Sequence, residues 1–559
     1  MHAEKSHKGE GQGRPEYDVI VLGAGIAGTM LGAILARNGA KVLLVDAGEH
    51  PKFAVGESTI PETLVTLRIM ADRYGVPEIA SLASLAEATG DINHSFGTKE
   101  HFGFLLHREG EEPNWHEATQ LSTPSGLSQT SHLFRQDTDQ FLFNAAVRHG
   151  CVPRLGHPVS EVDIEDDLVR IHGVDGTKTT GRFLVDASGF RSPLAAKLQL
   201  REEPSRLKHH SRSLFTHMVN VKGDEVLHHE DSQRPPTPWY NGTMHHVFER
   251  GWFWVIPFDN TSKSRNPLVS VGLTMDPRRY PKNRELTPEQ EFFEFASKYP
   301  AVARQFEGAR AVREWVSTER LQYSSTRSVG ARWCLMAHAA GFIDPLFSRG
   351  ISNTATVVNS FAWRLLDALR EDDFTRERFE YVERLEQGLL DHNDALVDSS
   401  FIAFEHYRLW SAIFRIWAFG SVVSANRLQS ALLRYRRTGD VQHLRELEDV
   451  PNLGLWWPDH DGYKSLFDAM VTQAELCEQG VITGEAAADE LFSQLKKADF
   501  VPSALGFDNA EERWLRPTPR VMFSLFRWLL TKAPADVRKL YLGPTVEAVK
   551  TLASGRRPF

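Results

Sequence analysis

Three stretches of this 559-residue chain hold residue types that could do chemistry. In the first, Gly23, Gly25 and Gly28 form GAGIAG, between the apolar run YDVIVL and a helical pattern through Met30, Leu31, Ile34 and Leu35. Glycines at that spacing allow a tight turn, close backbone approach to a pyrophosphate and helix-on-sheet packing. Asp46 ends the next apolar run, KVLLVD, where a carboxylate can accept hydrogen bonds from a ribose hydroxyl. This unit points to a dinucleotide without choosing between NAD and FAD. The second stretch is GWFWVIPF, with Trp252 and Trp254 two residues apart and Pro257 after them. Alternate residues of a strand share a face, so the indoles make one aromatic wall. An indole offers only an N–H donor, so the wall can stack or exclude but cannot move protons. The third is Lys99 in FGTKEHFGF, among Phe96, Phe102 and Phe104. A lone lysine is ordinarily a solvated surface charge. A desolvated, apolar setting would instead leave its amine neutral or poised for reaction.

Other chemistries find little support. None of the histidines, His94, His101, His209, His210, His217, His245 and His246 among them, falls in HExxH or another ligand spacing, so no metal is expected. They read as polar core or surface residues. His101 could share a strand face with Lys99, although solvent-facing packing is the simpler reading. The three cysteines, Cys151, Cys334 and Cys477, are scattered, which excludes a disulfide scaffold and fits a reducing cytoplasm. A formal charge of −9 argues against nucleic-acid binding.

The elements that must position these residues follow from patterning. YDVIVL, GAGIAG and KVLLVD make one βαβ unit, so the fold class is α/β with a parallel dinucleotide-binding sheet. Residues 1–16 read as a polar, disordered tail, and 17–371 as the main domain. Within it a β-rich substrate layer covers about 205–330, including MHHVFERGWFWVIPF as a strand with LVSVGLT as its antiparallel neighbour. From 372 to 559 strand signals vanish and helical periodicity takes over, predicting a helical C-terminal domain. The most apolar window, Phe401 to Ala425, carries Glu405, His406, Arg408 and Arg415. It therefore reads as a buried helix and no membrane span is expected. The N-terminus lacks the apolar core of a secretory signal.

Further strings carry a family resemblance. FRQD at Phe134–Asp137, DASGF at Asp186–Phe190 and GFIDP at Gly341–Pro345, in that order after the βαβ unit, resemble the FAD-dependent aromatic monooxygenase fold. That resemblance implies a ribityl contact for Asp344; the alternative is that Asp344 caps the following helix. With FAVGESTIP, FGTKEHFGF, WFWVIP and GFIDPLFSRG added, the chain resembles flavin-dependent halogenases of the phenol and aromatic polyketide type, from about Tyr17 to Arg370 and into the helical tail.

The resemblance implies FAD, supplied reduced, whose reaction with oxygen turns chloride or bromide into hypohalous acid. It places Gly56, Glu57, Ser58 and Arg135 at the cofactor, with Glu57 and Ser58 acting through backbone amides, and the halide at Arg349 and Gly350. Lys99 becomes the catalytic residue that captures or aims the hypohalous acid. Trp252, Trp254 and Pro257 become a partition between flavin and substrate, and Phe102, Phe104 and Phe347 line the substrate pocket. Two departures matter. Glu100, His101 and Phe102 intervene between Lys99 and Gly103, where the family has an earlier glycine. Phe347 stands where tryptophan halogenases place a glutamate, which favours a phenol that stabilises its own cation, a tetracycline-type polyketide being the substrate implied. With no second dinucleotide fingerprint, a separate flavin reductase is the expected partner, and a homo-oligomer is left open. A flavin aromatic hydroxylase and a non-catalytic flavin-binding scaffold are the competing readings.

Overall fold

The computed structural model describes residues 15–122, 130–227 and 234–553. Most of the expected tail, residues 1–14, lies outside them. The βαβ unit forms as expected: β1 (Tyr17–Leu22), α1 (Ile26–Arg37) and β2 (Val42–Val45). Val19 to Leu22 and Val42 to Val45 are buried on both faces, so these strands read as unbroken apolar runs rather than alternating ones. β1 lies between β2 and Lys178–Asp186, both parallel to it, and Trp333–Leu335 extends the sheet beyond Lys178–Asp186. A Cβ on Gly28 would stand 1.9 Å from the carbonyl oxygen of Gly23, so only glycine lets α1 sit this close to the turn.

The second sheet has the order Arg310–Ala311, Arg212–Val219, Val269–Met275, Gly251–Pro257, Thr243–Phe248, His101–Leu106, Ala118–Ser122 and Trp514–Leu515. It draws on more of the chain than residues 205–330. The stretch read as one strand, MHHVFERGWFWVIPF, is a hairpin turning at Glu249 and Arg250, with Arg250 at φ 58°. LVSVGLT does pair antiparallel with its second arm. We label the strands nearest the site β3 (Gly97–Lys99), β4 (His101–Leu106), β5 (Thr243–Phe248) and β6 (Gly251–Pro257). One face of the sheet carries Phe102, Phe104, Trp252 and Trp254. The opposite face, with Phe253 and Val255, packs under the helices Pro288–Ala296 and Pro300–Phe306.

Between Pro61 and Tyr74 runs α2, and the C-terminal half is built on α3 (Gly350–Glu371), α4 (Glu380–Ala403) and α5 (Tyr407–Thr438). The apolar window from Phe401 is two helices, broken at Phe404 to His406. Arg415 is buried within α5, its guanidinium donating to the carbonyls of Ser411 at 3.2 Å and Asn509 at 3.0 Å. That satisfaction lets a charge sit in a core. The helical tail also returns one short strand, Trp514–Leu515, to the second sheet. Among the described residues no helix is long and apolar enough to cross a membrane.

Candidate active site

At the dinucleotide end, Asp46 accepts hydrogen bonds from the amides of Ala24 at 2.6 Å and Gly48 at 2.8 Å, and from Lys52. Burial pushes its pKa up, but the Lys52 ammonium and the amides outweigh that and hold it below the usual carboxylate value. Gly23, Gly25 and Gly28 shape the turn beside it. Lys52 was not singled out in the sequence, because nothing local marks it as the partner of Asp46.

The loop from Val55 to Ser58 is braced from behind. Arg135 donates to the carbonyls of Val55 at 2.6 Å and Gly56 at 3.2 Å, while Asp139 holds its other edge at 2.8 and 2.9 Å. Glu57 and Ser58 turn their side chains towards the second sheet. The Glu57 carboxylate meets His217 Nε2 at 2.7 Å, and Ser58 Oγ meets Thr243 Oγ1 at 2.8 Å.

This loop forms one wall of a cavity of about 250 Å³. Phe215, His245, Trp252 and Trp254 form a second wall, and the segment from Ala337 to Gly350 a third. Gly272 lies beneath Trp254; a Cβ there would stand 2.1 Å from the indole, so the glycine is what lets the ring lie flat. Pro257 ends β6, and its carbonyl meets His132 Nδ1 at 2.8 Å. Asp344 accepts from Ser211 Oγ at 3.0 Å, from the Leu346 amide at 3.0 Å and faces His209 Nε2 at 3.3 Å. It therefore holds its own turn and does not cap α3, whose N-cap is Arg349. Ala337 and Ser348 have φ of 53° and 54°. Such left-handed non-glycine residues cost roughly 1–3 kcal/mol each and persist where packing over-determines the loop.

Arg349 points away from the second sheet. Its guanidinium lies 4.1 Å over the Trp456 ring, Nε donates to Asn353 Oδ1 at 3.2 Å, and buried Nη1 has no partner among the described residues. Burial holds its pKa down, with Glu62 the chief group opposing that. Gly350 begins α3, so its amide is among those left free at a helix start.

Lys99 ends β3 at 3% exposure. Its Nζ donates to the Thr59 carbonyl at 2.9 Å, approaches Ser348 Oγ at 3.4 Å and sits 4.2 Å over the Phe102 ring. Burial holds its pKa well below the usual lysine value, partly opposed by Glu62. Phe102 continues into an aromatic cluster: Trp417 of α5 lies 5.0 Å from Phe102 and 4.7 Å from Phe347, while Trp410 lies 4.7 Å from Phe104. Phe102, Phe104 and Phe347, from two distant motifs, thus converge on one buried aromatic cluster covered by a helix of the C-terminal half, and none of them lines the cavity.

His101 differs from expectation. It belongs to β4, in a different sheet from β3, is 1% exposed and contacts the Trp239 carbonyl at 2.9 Å. Burial pushes its pKa down to about 4. It is a core residue, neither solvent-facing nor a companion of Lys99. Two residues the sequence did not single out stand close by. Glu62, in the first turn of α2, is 3% exposed and accepts from Ser421 Oγ at 2.9 Å. Burial raises its pKa against the pull of Arg349. His245 lines the cavity from β5.

Among the described residues no group of three or more His, Cys, Asp or Glu is placed to hold a metal ion. The groups present fit FAD: a glycine turn open to a pyrophosphate, the Asp46 carboxylate just past the end of β2 and a flat-walled cavity for a ring system.

Comparison with known proteins agrees. Residues 16–271 match the FAD binding domain family. Tetracycline 7-halogenase of Kitasatospora aureofaciens is 52% identical over 537 residues, 96% of each chain. Monodechloroaminopyrrolnitrin halogenase PrnC of Pseudomonas fluorescens is 43% identical over 94% of each. The crystal structure of halogenase PltM in complex with phloroglucinol and FAD superposes with a TM-score of 0.86 at 34% identity, covering 89% of this chain and 99% of that one. Such likeness, over 94–96% of the chain in sequence and 89% in structure, supports the halogenase reading over the hydroxylase and scaffold readings. The chain is an FAD-dependent enzyme that halogenates an aromatic substrate, and it belongs to the flavin-dependent halogenases.

Proposed function

We propose that the enzyme chlorinates or brominates a phenolic polyketide of tetracycline type, with Lys99 as the residue that presents the halogen. Bound reduced FAD, with oxygen, supplies the oxidising power that turns halide into hypohalous acid. The observation that carries the reading is Lys99 itself: a 3%-exposed amine set 4.2 Å over Phe102, at the edge of the Phe102, Phe347 and Trp417 cluster. Its side chain either takes up the halogen or hydrogen-bonds the acid and aims it. The ring carbon then forms its bond to chlorine as the bond from chlorine to its carrier breaks. Glu62, buried in the first turn of α2, is the carboxylate whose charge opposes the depression of the Lys99 pKa. A phenol suits a pocket in which Phe347 brings no carboxylate from its own loop, because its oxygen spreads the developing charge. The names tetracycline 7-halogenase and the phloroglucinol complex of PltM support the same class. A separate flavin reductase supplies reduced FAD, and the three unpaired cysteines suit a cytoplasmic setting beside it.

The test supplies reductase, FAD, NADH and chloride with a panel of phenolic polyketides beside free tryptophan. Chlorinated phenols identified by their chlorine isotope pattern support the reading; chlorination of tryptophan alone would overturn it.

A further inference from the structure

His245 lines the cavity, and its ring packs on the Phe102 ring that also carries Lys99 Nζ. In the sheet it is in register with Phe104 of β4 and Trp254 of β6, and it is 1% exposed. Phe102 stacks on its ring at 4.6 Å and 21°, and Phe104 at 4.3 Å and 16°. Lys99 Nζ sits on that same Phe102 ring. The imidazole also lines the cavity, so it borders the flavin side and lies two ring contacts from the amine.

Its tautomer is fixed. Nδ1 lies 2.8 Å from the Gly103 carbonyl, which can only accept, so Nδ1 carries the hydrogen and Nε2 presents a bare lone pair. Burial holds the pKa well below the usual histidine value, against the Gly103 hydrogen bond and with Lys99 adding to the depression. The ring is therefore a neutral acceptor. The aromatic side chains around it offer no other lone pair: Phe102 and Phe104 have none, and an indole only donates. Trp254 gives its N–H to Ser270 Oγ at 3.3 Å, whereas buried Nε1 of Trp252, the ring 5.3 Å from His245, has no partner among the described residues. An acceptor with a spare lone pair and a neighbouring donor without a partner suit a small polar guest.

We propose that His245 positions hypohalous acid on its way from the cofactor cavity to Lys99, accepting the acid's O–H at Nε2 beside the adjacent Phe102 and Phe104 rings. This rests on the role given to Lys99 above. No bond is made or broken at the imidazole; the acid leaves as it arrived. His245 is a positioning residue, and its loss frees the acid into solution without touching its production.

The test compares His245→Phe, which keeps the stack without a lone pair, His245→Gln, which restores an acceptor, and Lys99→Ala. Each is supplied with reductase, FAD, NADH, chloride and phloroglucinol, with a soluble 1,3-diketone as scavenger. Far-UV circular dichroism checks folding and should match the parent for all three. His245→Phe should lower phloroglucinol chlorination about tenfold, the scale of one lost hydrogen bond, while chlorination of the scavenger rises. His245→Gln should recover much of the product. The proposal is overturned if His245→Phe chlorinates phloroglucinol like the parent, or if it loses product with no gain at the scavenger. If Lys99→Ala chlorinates normally, the lysine reading falls with it; if only His245→Phe behaves normally, the proposal falls alone.

Discussion

Lys99 Nζ lies 3.4 Å from Ser348 Oγ, so the amine touches the loop that carries Arg349 and Gly350. The loop of Ser348 to Gly350 and the lysine are therefore neighbours, although Lys99 and Ser348 are 249 residues apart. A Lys99→Ala variant should keep consuming oxygen and release peroxide while chlorinated phenol falls on the order of 100-fold or more. Paired oxygen-electrode and mass-spectrometric measurements check the split.

The same lysine should make stability depend on pH. Its folded pKa is depressed by burial, so between that value and the ordinary lysine value the unfolded chain binds more protons than the folded one. Stability from this site therefore rises with pH through that window. Lys99→Met should gain stability over the parent at pH 7, and that advantage should shrink as pH approaches the ordinary lysine value. Urea unfolding at pH 7 and pH 10 reads the difference; an advantage that grows with pH would contradict a lysine pKa lowered by burial.

Glu62 opposes the depression of the Lys99 pKa. Glu62→Gln should move the Lys99 limb of the pH–rate profile to lower pH, because the carboxylate that favours the protonated amine is gone. FAD affinity should not change. A variant with an unshifted profile would show that Glu62 does not set the lysine's pKa.

Gly272→Ala would push a methyl group into the Trp254 indole. Relieving that overlap should cost about 1–3 kcal/mol and tilt the ring out of the cavity wall. Tryptophan fluorescence and FAD titration should both change, whereas Gly90→Ala, with open space around its Cβ, should change neither.

The parallel sheet was legible because strands buried on both faces must be continuously apolar, as YDVIVL and KVLLVD are. The hairpin at Glu249 and Arg250 was not, because MHHVF and GWFWVIP are apolar on both sides of a turn that uses no asparagine–glycine or similar signal. His101 was misplaced for a related reason: Lys99 and His101 look like neighbours on one strand, yet the chain crosses between sheets at Glu100. Lys99, Phe102 and Phe347 could be named from their strings. Glu62 and His245 could not, since they acquire meaning only where α2, β5 and α5 converge.

The second sheet is finished late. Thr119 and Arg513, which bond where the closing strand meets Ala118–Ser122, are 394 residues apart. On the ribosome, the edge at Ala118–Ser122 must therefore wait while almost 400 further residues are made, with open hydrogen-bonding groups, the condition under which strands pair with the wrong neighbour. The nascent chain is thus exposed to misassembly until Trp514 and Leu515 emerge, and chaperone supply during expression should govern the yield of folded enzyme.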